Sequence, residues 1–107
     1  MEGVELQCFK IISSVGTARS SYIEAIQEAK KGDFVKAEEL MKEGIESFNQ
    51  GHCTHGELIQ EEANGNGVTA SLLLIHAEDQ LMSAEAFHII ANELIDSYKR
   101  ITALEKK

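Results

Sequence analysis

The sequence predicts an all-α fold: a single domain over residues 1–107, built as an antiparallel three-helix bundle. Three observations lead there. The chain has no proline, so long helices can run uninterrupted. Apolar residues recur at helical spacing through three long stretches. Two compact turn signals, Lys30-Lys31-Gly32-Asp33 and Asn64-Gly65-Asn66-Gly67, divide those stretches.

Residues 4–31 form the first expected helix. Cys8, Val15, Tyr22 and Ala29 recur every seven residues, and Ile11, Ala18 and Ala25 follow the first three of them by three. That is an a/d seam, mostly of small residues, so a neighbouring helix can come close. Gly16 weakens the helix locally. Lys30 and Lys31 suit a helix C-terminus, Gly32 the position just past it and Asp33 the next N-cap. So short a turn implies an antiparallel hairpin.

The second helix is expected from about Phe34 to about Ala63. Phe34, Met41, Phe48 and His55 form one row; Ala37, Gly44, Gly51 and Leu58 form the other. Glycines at 44, 51 and 56 are many for a helix. Either the helix kinks near Gly51 or something packs close to its backbone. The third helix is expected from about Val68 to about Leu104, roughly 55 Å long at 1.5 Å per residue. Its polar arc is narrow: Ser71, Glu78, Glu85, Asn92, Asp96 and Lys99. The rest is largely apolar, wider than one hairpin can cover, which places part of this face in an oligomer.

The size permits a modest core. A formal net charge of −8 argues against nucleic acid or an anionic membrane as partner and favours basic proteins or cations. Leu72–Ile75 is the longest apolar run, so no membrane span fits and no direct membrane insertion is expected. Met-Glu-Gly-Val-Glu at the N-terminus does not read as a signal peptide. A cytoplasmic location follows as the expectation, with Cys8 and Cys53 as reduced thiols.

The most informative stretch is Leu72–Met82. On a helical wheel, Asp79 falls inside the apolar stripe of Leu72, Ile75, Met82, Ala86 and Ile90, with His76 slightly to the side. A carboxylate there is costly unless paired, protonated or bound to a cation. Asp79 therefore reads as a buried acid or as a metal ligand shared across a symmetry axis, since several converging copies would repel without a cation. His76 reads either as structural or as a nucleophile and phosphate acceptor, because neutral imidazole is competent near pH 7. It has no serine or cysteine companion nearby in sequence, so a hydrolase triad is not suggested. His52-Cys53-Thr54-His55 matches no standard zinc spacing. His55 lies on the core row of helix two, where a satisfied core histidine is the simpler reading. His52 would face His76 if helices two and three are neighbours. His88 receives no role.

Several motifs in order carry a family resemblance across nearly the whole chain. They are Gly16-Thr17-Ala18-Arg19-Ser20, Gly32-Asp33-Phe34 with Ala37, His52, Tyr98-Lys99-Arg100, and above all His76-Ala77-Glu78-Asp79-Gln80-Leu81-Met82. The chain resembles the IIA component of the lactose/cellobiose (chitobiose) class of the bacterial sugar phosphotransferase system. The resemblance implies a homotrimer of three-helix subunits. It implies that His76 accepts phosphate from the phosphocarrier HPr and passes it to a cysteine of the IIB component. It also implies that Asp79 from three subunits meets a divalent cation, usually magnesium. Gln80 stands where the family usually has histidine; at i+4 from His76 it can still donate a hydrogen bond to phosphate. Gly51, His55 and Gly56 replace the more usual alanine, glutamine and threonine around His52. These departures touch the wall formed by His52 and Gln80.

Two rivals remain. A two-component histidine phosphotransfer domain usually has a lysine and a glycine shortly after its histidine, whereas Glu78 and Asp79 follow His76. A non-catalytic helical adaptor draws on the helical-repeat-like start Gly32–Glu38, but that start has no 34-residue echo, and this reading leaves Asp79 unexplained.

Overall fold

The structure, a computed structural model, describes residues 3–107. Met1 and Glu2, part of the N-terminal stretch read against a signal peptide, lie outside the described residues. Three helices account for the architecture: α1 (Gly3–Lys30), α2 (Phe34–Ala63) and α3 (Leu72–Glu105). They lie along one long axis, with extents of 61 × 21 × 20 Å and a radius of gyration of 16.9 Å. A compact chain of this length would have about 13 Å. The molecule is a rod.

The helix ends follow from local chemistry. At the end of α1 the Gly32 N–H donates to Ala29 O at 3.0 Å and the Asp33 N–H to Glu28 O at 3.0 Å. Gly32 takes φ +88°, a left-handed conformation that glycine adopts without cost. The Asp33 carboxylate then accepts from the Lys36 N–H at 3.1 Å, capping α2. The same Schellman pattern closes α2, with Gly65 at φ +88° and the Asn66 N–H on Glu61 O at 2.9 Å.

The α1 seam is the shared face of the bundle. Cys8, Ile11, Val15, Ala18, Tyr22, Ala25 and Ala29 are all buried. α1 packs along both other helices, while α2 and α3 meet each other much less. One apolar cluster gathers around Tyr22, Met41 and Ile95, a second around Cys8, Leu58 and Leu81, and Phe48 packs against both. The glycine question in α2 resolves in favour of close packing. A Cβ at Gly44 would lie 2.5 Å from Tyr22 Cε1, and one at Gly51 2.8 Å from Val15 Cγ1. The helix runs continuously through both positions.

Two boundaries differ from the sequence reading. α1 spans 3–30 rather than 4–31, because Lys31 belongs to the turn. α3 begins at Leu72 rather than Val68. Ser71, expected on its polar arc, is instead its N-cap: an extended residue whose hydroxyl accepts from the Leu74 N–H at 3.1 Å. The connection therefore runs through Ala70, and Val68 packs against the second cluster.

Candidate phosphate-acceptor site

α3 turns one face inward and leaves its opposite face open. Ala77, Leu81, Ala84, Ala91 and Ile95 are buried against the bundle. The far side carries Leu72, Ile75, Met82 and Ile90, exposed by 83%, 59%, 65% and 50%. Asp79 lies exposed within this stripe, where the wheel placed it. A single chain thus presents a long apolar face with one carboxylate in it, well beyond the scattered exposed leucines of an ordinary surface.

His76 is exposed, and Gln80 is half-buried one turn further along α3. At this spacing the two side chains share a face. The ring nitrogens of His76 are open to a partner, and the Gln80 amide is placed to donate to a group held on that ring.

The α2 wall is built differently from a metal cluster. The His52 ring stacks on Phe48, with centroids 5.8 Å apart and planes 18° apart. His55 is half-buried, and its Nε2 lies 2.6 Å from Glu78 Oε1, so the imidazole donates and the carboxylate accepts. Cys53 is exposed and Thr54 donates to Gln50 O at 3.2 Å. The two histidines thus serve different neighbours. Glu78, placed on the polar arc by periodicity, turns out to be the partner of His55. Nothing in the sequence pairs these residues, since the link depends on how α2 lies against α3. On the α1 side, Arg19 of the Gly-Thr-Ala-Arg-Ser motif donates to the Ser83 hydroxyl at 3.5 Å, tying α1 to α3 two turns beyond His76. His88, given no role, lies against buried Tyr22 with ring centroids 5.3 Å apart.

Burial governs the two perturbed groups. It pushes the Cys8 thiol up from its ordinary value, with the Glu78 and Glu5 carboxylates adding to the effect. It also pushes the Tyr22 phenol up. Both groups sit in the α1 seam and stay neutral at working pH.

An all-helical subunit with an open histidine on its third helix defines a class of small helical phosphocarriers. Comparison with known proteins gives the particular family. Residues 6–99 match the family of lactose/cellobiose-specific IIA subunits of the phosphotransferase system. The lichenan-specific phosphotransferase enzyme IIA component of Bacillus subtilis is 40% identical over 101 residues, covering 94% of this chain and 92% of that protein. The crystal structure of the cellobiose-specific enzyme IIA from Bacillus anthracis superposes with a TM-score of 0.92 at 41% identity, covering 96% of this chain and 95% of that one. A IIA structure from the chitobiose IIA–HPr complex of Escherichia coli gives a TM-score of 0.82 at 29% identity, covering 95% of this chain and 99% of that one. The chain belongs to the lactose/cellobiose-specific IIA family, the phosphotransferase components that carry phosphate toward a sugar. Among the described residues, no helix is long and apolar enough to cross a membrane.

Proposed function

We propose that His76 is the phosphate acceptor, taking its phosphoryl group from HPr and giving it to a cysteine of the IIB component during sugar uptake. The observation that carries this is an exposed imidazole on α3 with a half-buried amide one turn away, in a chain of this family. The chitobiose relative solved in complex with HPr supports the choice of donor.

In the first step a lone pair on neutral His76 attacks phosphorus on phospho-HPr. A new N–P bond forms as the donor's N–P bond breaks, and the donor imidazole leaves with its electron pair. In the second step a cysteine thiolate of IIB forms an S–P bond while the His76 N–P bond breaks. The protein's part is positioning and charge stabilisation. The Gln80 amide donates to a phosphoryl oxygen, and the wall carrying His52 limits the approach of water. Both partners use the same open face in turn. Transfer from HPr places the protein in the cytoplasm.

The open stripe of α3 supports a homotrimer with α3 at its axis. There Asp79 from each of three copies would hold a divalent cation, and magnesium suits an all-oxygen donor set. When bound, that cation offsets repulsion among the carboxylates. Asp79 itself is a hard oxygen donor in a stripe with no cationic side chain among Leu72, Ile75, Met82 and Ile90, which fits such a role.

A relay assay tests the reading. With phosphoenolpyruvate, enzyme I, HPr and a family IIB, label is expected on IIB only when this chain is present. Label reaching IIB equally fast without the chain would end the proposal.

A further inference from the structure

α2 and α3 are joined mainly through α1, and their direct contact is limited. Among the described residues, side-chain hydrogen bonds or ion pairs link them at two places. At the far end Lys99 Nζ lies 3.4 Å from Glu38 Oε1, with side chains 44% and 65% exposed. Such a pair is screened and loose. Near His76 the link is His55–Glu78, at 2.6 Å and with the His55 side chain only 17% exposed. A short charge-assisted hydrogen bond with one partner largely out of water fixes geometry far better.

The anchor points of this second link matter more than its strength. Glu78 stands two residues beyond His76 on α3, and His55 stands three residues, nearly one helical turn, beyond His52 on α2. The bond therefore joins the backbone that carries the acceptor to the backbone that carries its wall. Neither side chain is needed to touch phosphate. Resting on the reading of His76 as acceptor, we infer that His55 and Glu78 form a clamp that sets the α2 wall against His76. Both are positioning residues for phosphoryl transfer.

The test is single-turnover phosphorylation of the full-length chain by phospho-HPr at several HPr concentrations. Helix content is checked by circular dichroism. His55→Ala and Glu78→Ala are each expected to slow the maximal transfer rate by roughly tenfold, the scale on which small displacements act. The HPr concentration giving half-maximal rate should stay within about twofold, because the docking face is untouched. His55→Gln, whose amide nitrogen reaches the same place as Nε2, should recover the wild-type rate to within about twofold. The double alanine variant should be no slower than either single one, as expected of residues acting through one bond. Rates within about twofold of wild type in both alanine variants would overturn the clamp. So would multiplying effects in the double variant, or a His55→Gln variant as slow as His55→Ala. Should His55→Ala lose helix, Glu78→Ala and His55→Gln decide the matter. A wild-type chain that takes no phosphate would overturn the acceptor reading and the clamp with it. A phosphorylated wild type with unaffected variants would overturn the clamp alone.

Discussion

Three of the four histidines are engaged by neighbours. His52 stacks on Phe48, His55 donates to Glu78, and His88 lies against Tyr22 with Asn92 Nδ2 3.4 Å from its Nε2. Among the described residues His76 has no such contact, which suits a ring that must meet two proteins in succession. Gln80→Ala should slow phosphate acceptance severalfold, read by quenched-flow transfer from phospho-HPr; an unchanged rate would remove Gln80 from the site. The buried seam makes a separate prediction at this scale. Cys8 is 1% exposed while Cys53 lies at the surface, so a thiol reagent should modify one thiol per native chain and two after denaturation. Folding raises the affinity of Cys8 and Tyr22 for their protons. Their contribution to stability is therefore complete below the ordinary thiol value of 9.0. It falls as pH climbs through that value and then through the ordinary phenol value of 10.0. Melting temperature should fall across that alkaline range, and a Cys8→Ala variant should lose the earlier part of the fall.

At the scale of the helix, the contact between α1 and α2 depends on two missing side chains. Adding a Cβ at Gly44 drives it into the ring of Tyr22, which is 1% exposed and has nowhere to turn. Overpacking of this kind costs about 1–3 kcal/mol. Replacing a mid-helix glycine gains about 1 kcal/mol in propensity. The fully buried ring puts Gly44→Ala toward the upper end of that cost, so it should lower stability in urea titration. Gly56→Ala, with nothing within 4 Å of its new Cβ, should raise it. Periodicity made the α1 seam legible residue by residue, because a heptad pattern states directly which side chains share a face. It gave α2 its bounds for the same reason, helped by Asp33 and Gly32. It placed the start of α3 too early because Val68–Ala70 continue the apolar spacing. The decisive signal was the serine at 71, whose hydroxyl competes for the first free N–H groups. The His55–Glu78 bond was not legible at all, since it joins residues 23 apart in sequence through the packing of two helices.

The whole molecule is a thin rod with a modest core and an open apolar flank. Leu72, Ile75, Met82 and Ile90 in water form a face that a second and third copy would cover, and Asp79 is the one acidic group among them. If a divalent cation joins three such carboxylates, a chelator should lower the melting temperature of the wild-type assembly. Asp79→Leu should make the assembly indifferent to chelator, because the repulsion disappears with the charge. Sedimentation at several concentrations gives the number of copies. A wild type that melts identically with and without chelator would remove the shared cation from the account. The charge of −8 adds that association with a basic partner should weaken as salt rises.

The central claim is that His76 carries the phosphate. Its most direct test is the intact mass of wild type and His76→Ala after incubation with phosphoenolpyruvate, enzyme I and HPr, with helix content checked for both. The account predicts one acid-labile phosphate on the wild type and none on the folded variant. A phosphate retained by His76→Ala, or none on folded wild type beside phosphorylated HPr, would contradict it.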